Sequence, residues 1–111
     1  MKVYRVERQD GLGPYRPDVP DEVTDTLYNW RRGDNHPTPD DGGLVMRKTD
    51  LYGFTSKRAL HTWFAGAKRV LRKHGFLLAT YSVPAEHVRR GDRQVAFPKK
   101  HATLIDRSTL I

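Results

Sequence analysis

The chain has 111 residues, of which 20 are Lys or Arg and 13 are Asp or Glu, so its formal net charge is +7. This length suits one folded domain with a single core, and we treat residues 1–111 as one domain. Because there is no cysteine, disulfides, thiolate catalysis and cysteine-based zinc sites are excluded. The basic excess favours an anionic partner, such as a nucleic acid, a nucleotide or an acidic protein face, without choosing among them.

Nothing in the sequence points to a membrane. Its apolar runs are far shorter than the segment that crosses a bilayer. Residues 1–10 also lack the apolar centre of a signal peptide. We therefore expect no membrane partner and a protein that stays in the cytoplasm where it is made.

The first predicted element is a strand over residues 2–7, where side chains alternate between two faces and Arg5 shares a face with Val3. Residues 9–20 contain three prolines and two glycines. They are therefore predicted to form a loop that crosses the surface or borders a cleft.

A short amphipathic helix is predicted at about residues 21–32. Asp21 and Glu22 lie at its start, where the helix dipole prefers acids, and Gly33 follows its end. Apolar residues recur along it at i, i+4 and i+7, so its main role is predicted to be packing.

Residues 34–43 are predicted to form a second loop, because they contain two prolines and a double glycine. His36, Asp40 and Asp41 in this loop are residue types that bind divalent cations, but the set is not repeated at a helical or hairpin spacing. We therefore expect no metal site. A strand at residues 44–48 is predicted to follow.

The strongest local signal is a long amphipathic helix at about residues 56–74, preceded by a turn at residues 50–53. Thr55 or Ser56 is expected to cap its start, and Gly75 to supply the left-handed residue at its end. The apolar side of the helix is predicted to pack against the core; it consists of Ala59, Leu60, Trp63, Phe64, Ala67, Val70 and Leu71.

Two cations occupy the first turn of this helix, where the dipole disfavours positive charge. Lys57 and Arg58 are the residues concerned. The arrangement suggests an anion nearby. The alternative is that both are solvated surface cations, since local preferences are often overridden.

The rest of the chain is predicted to be mostly strands. Residues 77–83 form a short apolar run that suits a central strand, and a single helical turn is predicted within residues 84–90. Strands are expected at residues 93–97 and 102–106. The order of elements predicts an α+β domain with a small mixed or antiparallel sheet, one long helix and one short helix.

Three short segments form a recognisable order along the chain. They are Arg5 on the first strand, the run Tyr52-Gly53-Phe54-Thr55-Ser56 before the long helix, and Asp92-Arg93-Gln94 at the start of a late strand. Together they resemble the mono-ADP-ribosyltransferase superfamily, and the resemblance covers most of the chain. It implies a protein that binds NAD or a related nucleotide and transfers ADP-ribose to a host macromolecule.

The resemblance also implies a role for each residue. Arg5 would hold the ribose or phosphate of NAD and share the catalytic site with Gln94, which would contact the 2′-hydroxyl. Thr55 and Ser56 would support the nicotinamide end, and Tyr52 or Phe54 would stack on a ring. The superfamily has Glu-x-Glu where this chain has Asp92-x-Gln94, so a neutral amide replaces the carboxylate that stabilises positive charge in the transition state.

A purely structural interpretation of the same residues stands beside this one. Arg5 would pair with Glu7 or with an acid on the next strand. Thr55 or Ser56 would only cap the helix, and Gln94 would be an exposed strand residue.

The second functional hypothesis is a non-catalytic basic binding module. The small, basic, loop-rich sequence also looks like the accessory proteins with which bacteriophages act on their hosts. Such a module would contact nucleic acid or an acidic host protein without a recognised motif. Its candidate contacts with nucleic acid are Arg69, Arg72, Lys73, Arg89 and Arg90.

Overall fold

The computed structural model describes residues 1–15, 18–29 and 49–111. Within them the chain forms β1 (Lys2–Glu7), α1 (Asp21–Asn29), β2 (Asp50–Gly53), α2 (Lys57–Trp63), α3 (Lys68–Lys73), β3 (Leu77–Ser82), β4 (Arg89–Arg90), β5 (Val95–Pro98) and β6 (Thr103–Thr109). Two short 3₁₀ turns, Ala85–His87 and Lys99–His101, precede β4 and β6. The predicted α+β class is confirmed.

The strands form two antiparallel sheets. The first has the order β1-β3-β6 and the second the order β2-β5-β4. As predicted, the strand that follows the helices is central, since β3 pairs with β1 on one side and β6 on the other. An isolated bridge between Tyr4 and Phe54 links the two sheets.

The first sheet is the middle layer of the fold. Successive side chains of a strand point to opposite faces, and Val6 and Leu78 pack with the helices in one core cluster. Val3, Ala79 and Tyr81 belong to the other face and pack with the second sheet. The predicted apolar side of the helical segment is buried in the first cluster, with Leu60, Trp63, Phe64, Ala67 and Leu71 each at most 9% exposed.

The helical segment is divided into two helices, whereas one helix over about 56–74 was expected. The break lies between Trp63 and Lys68, where Gly66 has a φ of 87°. This left-handed conformation ends a helix and favours glycine. The predicted caps are confirmed, because Ser56 Oγ accepts a hydrogen bond from Ala59 N–H and Gly75 has a φ of 86°.

The prediction of a turn at Asp50–Gly53 is wrong, because this segment is strand β2. It pairs with β5, and Leu51 lies opposite Phe97. Gly53 permits the close approach of β1, since a Cβ atom there would lie 2.5 Å from Val3 Cγ1 and 2.9 Å from the Tyr4 carbonyl oxygen. Pairing with segments distant in sequence thus overrides the local turn signal of Asp and Gly.

The last strands are shifted from their predicted bounds. β5 begins at Val95, so Asp92, Arg93 and Gln94 form the turn before it. β6 extends to Thr109, beyond the predicted end at 106, because it follows the whole length of β3. The predicted helical turn within residues 84–90 is confirmed as Ala85–His87.

Several predictions fall on residues outside the described ranges. They are the end of the short helix beyond Asn29, the loop at 34–43 with His36, Asp40 and Asp41, and the strand at 44–48. In the part of the chain that the structure describes, no helix has the length and apolar character required to span a membrane.

Candidate functional site

A pocket of about 270 Å³ opens beside β1, between the loop at residues 11–15 and β2. Four of the predicted site residues line it, namely Arg5, Tyr52, Phe54 and Gln94. Thr55 and Ser56 do not line this pocket and are exposed. The structure therefore brings together residues from the first strand, β2 and the turn before β5.

Arg5 is buried and holds the walls of this pocket together. Its Nε donates to Glu7 Oε1 at 2.5 Å. Its two terminal nitrogens donate to the Tyr52 carbonyl oxygen at 3.1 Å and to the Gly11 carbonyl oxygen at 3.2 Å. The structural interpretation of Arg5 as the partner of Glu7 is therefore the observed one, and the guanidinium also joins β1 to β2 and to the following loop.

Glu7 is the centre of a buried charge network that sequence reasoning missed. Its side chain is 0% exposed. Oε2 accepts from Arg107 Nε at 2.8 Å. The Tyr81 hydroxyl donates to the same carboxylate, with its oxygen 2.8 Å from Oε1 and 2.7 Å from Oε2. Arg5 and Arg107 reach one carboxylate because both lie opposite Ala79 in the first sheet.

Two members of the network, Tyr81 and Arg107, have a raised pKa. Burial, and then the hydrogen bond to Glu7, raises the pKa of Tyr81 to about 12. Burial opposes the charged form of Arg107, but its hydrogen bond and charge interaction with Glu7 raise the pKa of that guanidinium above its usual value. The sequence contained one signal that Glu7 is buried: Glu7 lies on the same face of the predicted strand as the apolar residue Val3.

Gln94 lies on the inner wall of the pocket. It is 1% exposed, so its interpretation as an exposed strand residue is wrong. A turn places it there, since its carbonyl oxygen accepts from Gly91 N–H at 2.8 Å. The Oε1 of Gln94, the hydroxyl of Tyr52 and Oδ1 of Asp50 are all shielded from solvent, and Asp50 forms an ion pair with Arg89.

Aromatic rings also line the pocket beside β1. The ring centres of Tyr15 and Phe64 are 6.3 Å apart, and those of Phe54 and Phe64 are 6.1 Å apart in an edge-to-face arrangement. The Tyr15 hydroxyl accepts from Trp63 Nε1 at 3.2 Å, which ties the loop to α2. A pocket with aromatic walls and a few inward polar groups suits a flat organic ring.

The residues predicted to contact nucleic acid do not form one surface. Arg72 donates to the Leu110 carbonyl oxygen, Lys73 pairs with Glu22 and Arg89 pairs with Asp50. Arg69 and Arg90 are exposed. Three of the five lie on α3 and two on β4, which belong to the layers on opposite sides of the first sheet.

The two cations at the start of α2 differ in their surroundings. Lys57 Nζ lies 5.8 Å from the centre of the Tyr4 ring, a cation–π contact that offsets part of the unfavourable position. Arg58 is exposed and lines a second groove next to the pocket.

Fold and pocket together define a small α+β protein with a pocket lined by shielded polar groups and aromatic rings. A protein-family model described as Bacteriophage T4 Y00F protein matches residues 1–111, and the chain therefore belongs to this family of phage proteins. Neither the curated proteins nor the solved structures contain a significant match to the chain. The resemblance to phage proteins is confirmed, whereas the roles implied by the ADP-ribosyltransferase resemblance stay predictions.

Proposed function

We propose that this protein is a phage accessory protein that binds a nucleotide, NAD or a close relative, with the flat ring in the pocket beside β1. One observation carries the proposal. Arg5, Tyr52, Phe54 and Gln94 come from three separate segments of the sequence and line one pocket.

The size of the pocket limits what enters it. Its volume of about 270 Å³ is near the lower end of ligand pockets, which run from roughly 300 to 1,000 Å³. A nicotinamide or purine ring with its ribose is compatible with that space, and a whole dinucleotide is not. The phosphates of the ligand would therefore lie at the mouth of the pocket.

The polar residues of the pocket have two different roles in this proposal: Gln94 contacts the ligand, and Arg5 positions the pocket walls. The side-chain amide of Gln94 can donate to and accept from a carboxamide or a purine edge. Arg5 acts through other residues in this proposal, because its three nitrogens already hold Glu7, Tyr52 and Gly11. Replacing Arg5 would therefore shift the walls of the pocket, and it would not remove a direct contact to the ligand.

The same geometry favours binding without transfer of ADP-ribose. Cleavage between nicotinamide and ribose develops positive charge, which a carboxylate stabilises far better than a neutral amide does. The resemblance implies that Gln94 replaces this carboxylate, and the Asp50 carboxylate at the pocket is already paired with Arg89.

Calorimetry with NAD, ADP-ribose and nicotinamide tests the proposal. We expect binding by the wild type and a loss of about tenfold in affinity for Gln94→Ala, since a lost buried hydrogen bond is worth about 1 to 2 kcal/mol. Ser82→Ala, an exposed change on β3, is the control. Absence of binding for all three ligands, or equal affinity in Gln94→Ala, would refute the proposal.

Transfer is tested separately with labelled NAD and bacterial lysate. We expect no labelled macromolecule above the level of a protein-free control. Label that appears with the wild type and disappears with Gln94→Ala would establish a transferase in place of a binding protein.

A further inference from the structure

A second concave site lies on the other side of Phe54. It is a groove of about 480 Å³, and Phe54 also lines the pocket beside β1. One wall comes from α2, with Arg58 and Thr62, and the other from the turn before β5, with Asp92 and Arg93. We call it the arginine groove.

The base of the arginine groove is aromatic and its rim is cationic. The guanidinium carbon of Arg93 lies 4.6 Å from the centre of the Trp63 ring, a distance typical of a cation–π contact. Arg58 and Arg93 are both exposed, whereas Trp63 is 9% exposed. A guanidinium placed on an aromatic wall has a planar fork that matches phosphate oxygens, and an unpaired base can stack beside it.

We propose that the arginine groove binds single-stranded nucleic acid, with a phosphate between Arg58 and Arg93 and a base against the wall formed by Trp63 and Arg93. Alternation of cationic and aromatic groups is the chemistry by which proteins hold single strands without sequence preference. The chain's net charge of +7 adds a long-range attraction for such a polyanion. This site differs from the set on α3 and β4 that the sequence suggested.

The charges around the arginine groove predict whether each substitution raises or lowers the affinity for nucleic acid. Arg58 and Arg93 contribute two positive charges to the groove, and Asp92 one negative charge. Lys57 is exposed beside Arg58 and adds to the cationic side. Because the carboxylate of Asp92 repels a phosphate, Asp92→Asn tightens binding, whereas Arg58→Glu weakens it.

Trp63 provides a reporter inside the groove. The chain has two tryptophans, so Trp30→Phe leaves Trp63 as the single one. In this variant, titration with an unlabelled oligothymidylate should quench Trp63 fluorescence, because the proposed base stacks against the wall that Trp63 and Arg93 form. The anisotropy of a fluorescent oligonucleotide measures the affinity of the wild type and of Trp30→Phe. We expect equal affinities, which would show that the substitution of Trp30 does not affect binding.

Charge variants then locate the site. We expect Arg58→Glu to weaken oligonucleotide binding at least tenfold and Asp92→Asn to strengthen it two- to threefold at low salt. Arg69→Glu on α3 changes the net charge as much as Arg58→Glu does, and should weaken binding less than threefold. Thermal unfolding of each variant checks that these exposed changes leave the fold intact.

Four results would overturn the proposal. The first is no binding of single-stranded DNA or RNA at low salt. The second is an equal loss for Arg58→Glu and Arg69→Glu, because binding would then follow total charge and not the groove. The third is quenching of Trp63 by polyglutamate as strong as that by the oligonucleotide, which would assign the groove to an acidic protein. Quenching by inorganic phosphate or a mononucleotide alone, without the longer strand, would also contradict it.

Discussion

Arg5 and Glu7 lie two positions apart on β1 and form a buried ion pair, with Nε and Oε1 separated by 2.5 Å. Residues at i and i+2 of a strand share a face, and this face is covered by the second sheet. A carboxylate that is 0% exposed needs compensating charge. Arg5 and Arg107 supply it, and Arg5 also donates to the backbone of β2, so the network supports the wall of the candidate pocket.

Glu7→Gln should destabilise the protein strongly while keeping the shape of the side chain. The substitution leaves the buried guanidinium of Arg5 and the half-buried guanidinium of Arg107 without their shared counter-ion, and breaking a buried pair in this way costs about 3 to 5 kcal/mol. Urea unfolding measures the change. Asp10→Asn, which breaks the exposed pair with Arg8, is the matched control, and equal destabilisation by both changes would contradict the role assigned to Glu7.

The stability of the protein should decrease with rising pH between about 10 and 12, partly through Tyr81. The pKa of Tyr81 is raised from 10.0 to about 12 in the folded protein. The folded state therefore keeps a proton that the unfolded state loses, and the stability present below pH 10 is lost as the pH rises through the folded pKa. Glu7, Arg5 and Arg107 are the charged groups that face the hydroxyl.

Tyr81→Phe tests this pH dependence. Phenolate absorbance of the wild type should include an ionisation at a pH of about 12 that comes from Tyr81, and the variant should show correspondingly less absorbance change at that pH. The variant should also lose stability less steeply in the same pH range. An absorbance change in this pH range that is the same in Tyr81→Phe as in the wild type would show that another residue is responsible.

Gly53→Ala should destabilise the contact between β1 and β2. A methyl group there would overlap Val3 Cγ1 at 2.5 Å and the Tyr4 carbonyl oxygen at 2.9 Å, and overpacking of this kind costs about 1 to 3 kcal/mol. Gly75→Asn is the control, because no atom lies within 4 Å of a Cβ at Gly75 and Asn tolerates its left-handed conformation. Chemical denaturation should show the larger loss at Gly53.

Ser56→Ala should lower stability by about 1 kcal/mol through the lost helix cap, because Ser56 Oγ accepts from Ala59 N–H. It should leave nucleotide affinity unchanged, since Ser56 lies outside the pocket wall. Thermal unfolding and calorimetry on the same variant separate the two effects. A loss of affinity at full stability would restore the role that the resemblance implies for this residue.

Local signals were sufficient to predict much of the fold. Alternation placed β1 at its observed bounds, and the apolar spacing of the helical segment identified the residues that enter the core. Ser56 and Gly75 were predicted as caps because capping depends on a few neighbouring residues. The division at Gly66 was missed, since a single glycine within a periodic segment is compatible with an unbroken helix.

The candidate site was predicted only in part. Arg5, Tyr52, Phe54 and Gln94 were selected by their resemblance to a family pattern, and they do line one pocket. Tyr15, Phe64 and Asp50 also line it, and no local feature distinguishes them from ordinary core or loop residues. The sequence also did not show which basic residues share a surface, because this depends on the packing of α3 and β4 in different layers.

The sequence by itself determined the α+β class, the amphipathic segments and the absence of thiol chemistry, because each depends on composition or on spacing along the chain. Tertiary structure alone decided that Arg5 and Arg107 share Glu7, and that Arg58 faces Arg93 across a groove. These pairs are separated by up to 100 positions in the chain. Strand register and layer packing bring them together, and both are set by contacts between distant segments.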